Sequence, residues 1–174
     1  DEHVAEGQRR VRLAHRRRDR RPQEVHRTEA HARRDAVVDD QRGLDVEAIQ
    51  ASMDDLSALP AAAFDLVIQP VSTCYVPDVA AVYRQVARVT AAGGLYISQH
   101  KQPSSLQTAN VPSPGGYELT EPYYRRGPLP PVVGSPHRES GTLEFLHRWE
   151  ELLGGLCRAG FVIEDVIEPL HAQP

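Results

Sequence analysis

The spacing of apolar residues along the chain changes character at Gly43. Ahead of it, Val4, Val11, Leu13, Ala14, Val25, Val37 and Val38 stand singly or in pairs among charges, so neither a helical nor an alternating period persists. Ala, Arg and Glu over residues 27–35 favour helix but offer no wide apolar face. Taken alone, residues 1–42 read as a disordered or marginally helical arm. Beyond Gly43 the pattern tightens: LDVEAIQAS alternates apolar and polar residues from Leu44, as a short strand does. The apolar run from Phe64 to Ile68, closed by Pro70, predicts a strand buried on both faces of a parallel sheet. Pro77 and Asp78 mark a helix start, and Val79, Val82, Tyr83, Val86 and Val89 line one face at helical spacing. The run 91–94, Ala-Ala-Gly-Gly, ends that helix, and LYISQH returns as a second buried strand.

Strand, helix and strand in this order form a βαβ unit, which makes a parallel sheet. Ligands of open parallel sheets sit at the carboxyl ends of the strands, which places Gln69, Pro70, Ser72 and His100 on the functional rim. Residues 101–141 are rich in Pro, Gly, Ser and Tyr and read as an insertion that covers the rim. TLEFLHRW then alternates as a strand, ELLGGLCRA has helical spacing with Gly160 as its stop, and FVIEDVIEP finishes as a strand. The expectation is an α/β sheet, mostly parallel, with an antiparallel last strand.

Charge sharpens the division between the arm and the rest. The arm holds 12 of the 19 arginines and no Phe, Tyr, Trp, Ile or Lys; against nine acids it carries +3, whereas residues 43–174 carry −7. The acidic part has no electrostatic reason to seek nucleic acid. A nucleic-acid-binding protein using the arm stays open as a reading, disfavoured by the arm's acids and its lack of stacking aromatics. Two cysteines, Cys74 and Cys157, suit neither a disulfide framework nor a zinc site and point to a reducing compartment without a metal. No apolar run approaches the length of a membrane span, and no signal peptide is legible, so the expectation is a cytoplasmic protein with no membrane partner.

Individual side chains carry competing readings. His100 and His147 suit a general base, since an imidazole titrates near neutrality, yet a histidine beside a strand serves equally as a hydrogen-bonded structural residue. Tyr117, Tyr123 and Tyr124 line a substrate pocket or pin a long loop. Arg125 and Arg126 suit an anionic substrate or open solvent, and Trp149 suits packing.

FDLV at 64–67, VPD at 76–78, RVTAAGG at 88–94 and the closing WEELLGGLCRAGFVIEDVIEP stand in an order and spacing that resembles class I S-adenosylmethionine-dependent methyltransferases of the small bacterial type 11 group. The resemblance covers about 130 of the 174 residues. It implies a Rossmann-like fold, S-adenosylmethionine as cofactor and methyl transfer to a small molecule. Carried onto this sequence, it implies cofactor contacts at Ser52, Met53, Asp54, Gln69, Pro70 and Ser72, and substrate contacts at Tyr75, Tyr117 and Tyr123. It assigns no catalytic residue, because the sulfonium is already electrophilic and placement of the acceptor accounts for much of the rate.

The departures lie in front. The family's first strand and glycine-rich loop have no counterpart, since Gly7 is the only glycine before Gly43. The acid that ends the family's second strand cannot be assigned, and Ala51-Ser52 stands where the family often has glycine-aspartate. The fold is therefore expected to be incomplete at its N-terminal side. Arginine codons beginning CG, read one base later, specify Ala, Val, Gly, Asp or Glu, so residues 15–19 can be re-read as Thr-Val-Val-Glu-Ile, a strand ending in an acid. That points to residues 1–42 as a stretch read out of frame. Two further readings stay open: a non-catalytic remnant of the same fold, and a nicotinamide-binding enzyme whose fingerprint would lie in the same region.

Overall fold

The computed structural model describes residues 9–13, 34–39, 44–109, 111–135 and 138–168, with side-chain environments from Ala48 onward. Its centre is a four-stranded sheet in the order β4-β5-β1-β6, formed by β1 (Arg9–Leu13), β4 (Phe64–Gln69), β5 (Thr90–Ser98) and β6 (Phe161–Val166). All three of its ladders are parallel. A separate antiparallel ladder joins β2 (Arg34–Asp39) to β3 (Leu44–Ile49).

Between β4 and β5 runs α1 (Val79–Val89), and the sequence accounts for both of its ends. Asp78 sits in extended conformation and its carboxylate accepts from the N–H groups of Ala80 at 2.9 Å and Ala81 at 3.2 Å, an N-cap. At the other end Thr90 Oγ1 donates to the Val86 carbonyl at 2.7 Å, and the chain passes directly into β5. The five residues predicted to face inward are all buried, with Ala87 added. All but Val89 meet Tyr96 of β5, Phe161 of β6 and Leu152 and Leu156 in the main core. The last two come from a π-helical turn, Glu150–Gly154, and from α3 (Gly155–Arg158), which follows the short α2 (Pro103–Gln107) in chain order. Gly155 allows this helix its approach, because a Cβ there would lie 3.0 Å from the Tyr83 ring.

Several expectations need correction. The Ala-Ala-Gly-Gly run does not close the helix as a loop; it is the first part of β5, where the register against β4 shifts between Phe64 and Leu66. The final strand was expected to be antiparallel, but β6 pairs parallel with β1. The reason is the connection: the helical turns over 150–158 carry the chain back along the sheet before β6, and such a crossover delivers a parallel strand; TLEFLHRW, expected as a strand, forms none. Instead the chain leaves the end of β5, crosses the rim, descends through the π turn and α3 against α1, and enters the sheet as β4 and β5 do. The run 64–68 is not buried on both faces either. At the sheet's edge and covered by α1 on one side, β4 leaves Leu66 50% and Ile68 64% exposed. Finally, two strands fall in the arm, where the sequence pattern shows none; the rest of residues 1–42 lies outside the described residues, as does any helix over 27–33.

Candidate functional site

Gln69 and Ser98, the last residues of β4 and β5, lie opposite each other in the ladder, and this carboxyl edge is where the chemistry-bearing residues gather. The Gln69 side chain is a hub. Its Oε1 accepts from the Tyr96 hydroxyl, and its Nε2 donates to Ser72 Oγ at 3.1 Å and faces the Met53 sulfur at 3.5 Å. Ser72 Oγ in turn donates to the Pro70 carbonyl at 2.9 Å. Met53, Gln69, Pro70 and Ser72, separated by up to 19 positions in sequence, are thus one cluster. Ser52 and Asp54 flank Met53 in an exposed turn and bond to each other. Next to them Asp55 accepts from the Ser57 N–H at 3.1 Å, and the bonds from Ser57 hold its carboxyl below the usual range.

Beyond Ser72 a short 3-10 turn, Thr73–Tyr75, is fastened from two sides by the two histidines. His100 holds Thr73 Oγ1 at 2.9 Å through Nδ1 and Ser98 Oγ at 2.9 Å through Nε2, while its ring meets Tyr83 edge-on with centroids 6.3 Å apart. Burial, with His147 nearby, pushes its pKa down to about 4, so the ring is neutral and both nitrogens are occupied by hydroxyls. His147 places Nε2 within 3.0 Å of the Thr73 carbonyl and 2.9 Å of the Val76 carbonyl, so that nitrogen carries the proton and donates. Both candidate bases therefore hold the loop that follows β4.

The candidate substrate tyrosines divide. Tyr75 and Tyr123, with Val71, pack half-buried against a second apolar cluster of Cys74, Leu106, Leu129 and Leu146. The Tyr123 hydroxyl accepts from the Trp149 N–H at 3.1 Å, and its ring meets Tyr124 edge-on at 5.5 Å. Tyr117 joins neither cluster. It is 51% exposed and lines an open hollow of about 230 Å³ with Ser104, Ser105 and Thr108. That hollow contains none of the rim residues.

One feature escaped the sequence pattern. Glu144 is fully buried and its carboxylate takes an ion pair from Lys101, the only lysine in the chain, and another from Arg138. The Glu144 carbonyl accepts from the Leu129 N–H at 2.7 Å, and the next N–H, of Phe145, donates to the Cys74 carbonyl at 2.7 Å. The stretch 144–147 is thereby tied to the loop 73–76. An acid inside an alternating segment gives no sign of burial unless its partners are known to converge on it.

A family model described as a methyltransferase domain matches residues 10–98. A Bacillus subtilis (strain 168) protein named "Uncharacterized methyltransferase YbaJ" is 28% identical over 145 residues, which span 81% of this chain and 57% of that protein. The crystal structure of an S-adenosylmethionine dependent methyltransferase from Mesorhizobium loti aligns with a TM-score of 0.51 at 25% identity, over 66% of this chain and 52% of that one. The chain spans about half the length of these relatives. Among the described residues no helix is long and apolar enough to cross a membrane.

Proposed function

Since the chain belongs to the class I S-adenosylmethionine-dependent methyltransferase-domain family, we propose that it transfers a methyl group from S-adenosylmethionine to a small molecule at the carboxyl edge of β4 and β5. The observation that carries the proposal is the convergence of Met53, Gln69, Pro70 and Ser72 on that edge. These residues fit the adenosine end of the cofactor. Half-buried Met53 and exposed Pro70 supply an apolar wall, and the Gln69 amide is oriented by Tyr96, while Ser52 and Asp54 present polar groups beside Met53.

The cofactor supplies an electrophilic methyl on a sulfonium; the protein's part is to place the acceptor in line with it. Tyr75, in the loop after β4, and Tyr123, in the segment 101–141 that serves as the cap, stand where an acceptor would be gripped. Cofactor contacts at the methionine end would have to come from the front of the sequence, which holds one glycine before Gly43. The arginine-rich composition there supports our reading that residues 1–42 are written out of frame, against which stand the family match from residue 10 and the pairing of β1, and nucleotide sequence across those codons tests it. Finding no frame with a glycine-rich stretch removes that reading and leaves the site reading untouched.

Calorimetric titration of the full chain with S-adenosylmethionine and S-adenosylhomocysteine tests the function. Saturable binding at about micromolar affinity that drops at least about tenfold in Gln69→Ala is the expected result. No saturable binding would favour a non-catalytic remnant. Binding of a nucleic acid that weakens steeply with salt and vanishes on deleting residues 1–42 would favour the arm instead.

A further inference from the structure

We infer that Arg88, with Gln85, is a positioning residue for the turn that carries Met53, an inference that rests on the reading of the Met53–Gln69 cluster as the cofactor's site. Both lie in the C-terminal half of α1, 29 to 32 residues further along the chain than the backbone groups they hold. Arg88 donates through Nη1 to the Leu59 carbonyl at 2.9 Å, through Nη2 to the Leu56 carbonyl, and through Nε to Gln85 Oε1 at 3.2 Å. Gln85 Oε1 also accepts from the Leu56 N–H at 3.3 Å. One guanidinium and one amide thus hold both ends of the turn 56–59, which closes with the Leu59 N–H on the Leu56 carbonyl at 2.8 Å. The exit of the loop is tied to the same helix end, as the N–H groups of Ala62 and Ala63 donate to the carbonyls of Arg88 and Val89 at 2.8 and 2.9 Å.

Immediately before the gripped turn lies the candidate site. Residues 52–55 form the adjoining turn, closed by the Asp55 N–H on the Ser52 carbonyl at 3.0 Å, and it sets the Met53 sulfur 3.5 Å from Gln69 Nε2. The side-chain bonds of Ser52, Asp54 and Asp55 stay within residues 52–57, and the strand upstream, β3, pairs with β2 rather than with the central sheet. What joins this turn to the rim is therefore Met53 itself, half-buried against the main core, together with the grip on its neighbour. A site that works by placement loses affinity and rate when a placing group shifts even slightly. Lysine is no equal substitute for Arg88, because a single ammonium cannot span two carbonyls and an amide as the planar guanidinium fork does.

Met53 is the only methionine of the sequence, so NMR of the full chain with methyl-labelled methionine, freed of any initiator methionine, gives it one signal, assigned by its loss in Met53→Leu. Without cofactor, Arg88→Ala should move that signal toward the position of free methionine and Arg88→Lys part of the way, while Arg84→Ala, at an exposed residue of the same helix, should leave it in place. Calorimetric titration with S-adenosylhomocysteine should show affinity about tenfold weaker in Arg88→Ala and about threefold weaker in Arg88→Lys. In a Met53→Ala background Arg88→Ala should cost less than about twofold, since the grip acts through the turn, whereas an arginine that only stabilises the fold would weaken both backgrounds equally. Gln85→Ala, which leaves both carbonyl bonds of Arg88 in place, should shift signal and affinity less in the same direction, and serves as the test should Arg88→Ala not fold. An unmoved Met53 signal, an unchanged affinity, or equal losses in the two backgrounds overturns the inference. Failure of the methyl-transfer reading shows instead as no binding of S-adenosylhomocysteine by the natural chain, and takes this inference with it.

Discussion

Protonating His100 should unfasten the loop after β4, and the cost can be worked from its surroundings. The ring is enclosed by Thr73, Ser98 and Tyr83, with His147 as its charged-capable neighbour, and burial is the larger reason its pKa falls from 6.5 to about 4. In the unfolded chain the imidazole has its ordinary pKa and takes up a proton first as pH drops. The neutral ring's contribution to stability is therefore complete above pH 6.5 and drains away as pH falls through 6.5 toward 4. Linkage gives a loss of about 2 kcal/mol between about pH 7.5 and about pH 5, rising to about 3 kcal/mol once folded and unfolded forms are both protonated.

The chain holds eight histidines, so the informative quantity is a difference. Urea unfolding of the natural chain and of His100→Gln, whose amide keeps a donor and an acceptor, should be compared at both pH values. The variant's stability should fall by about 2 kcal/mol less over that interval. Equal pH slopes would refute the assignment of a buried, neutral ring. Activity supplies an independent check: a general base at this position would give kcat/KM an acid limb that His100→Gln abolishes, whereas a ring that only holds Thr73 leaves the limb where it was.

Tyr83→Phe should stabilise the protein by about 1–3 kcal/mol in the same assay, because the Tyr83 hydroxyl is buried with no hydrogen-bond partner among the described residues. Glu144→Ala should cost about 3–5 kcal/mol, seen as a lowered urea midpoint, since it leaves Lys101 and Arg138 buried without their counter-ion. Gly94→Ala should cost about 1–3 kcal/mol in thermal or urea unfolding, as its Cβ would meet Thr90 Cγ2 at 2.9 Å and the carbonyl oxygens of Ala91 and Asp65 at 3.0 and 3.1 Å.

Where a residue's fate depends on its neighbours in sequence, the pattern was legible. The α1 face and its Asp78 cap follow from helical spacing and local hydrogen bonding alone, and the β4–α1–β5 unit follows from their order. Where fate depends on what lies across space, it was not. In RRVRL only Val11 and Leu13 are apolar, so nothing local marks a strand; β1 exists because β5 and β6 each present an unpaired edge to it. The edge position of β4 is likewise invisible to its own composition, and the exposure of Leu66 and Ile68 follows from it.

The stretch 142–148 shows the same limit at the site. Alternation predicts Leu143, Phe145 and His147 on one face, but Leu143 is 66% exposed while Glu144, Leu146 and His147 are buried. A slip of one residue inverts every inward position of an extended segment. What sets the phase here is the hydrogen bond from Phe145 N–H to the Cys74 carbonyl, with two cations waiting for Glu144 on the far side. The same hydrogen bond ties the stretch 144–147 to the loop 73–76, where His147 bonds the carbonyls of Thr73 and Val76 beside Ser72 and Tyr75. A buried ion pair made from side chains 43 residues apart has no periodic signature, yet it goes with the inward turn of Glu144 in this stretch. The strands of the candidate edge can thus be read from sequence, whereas the packing of the stretch 142–148 above it depends on long-range polar contacts.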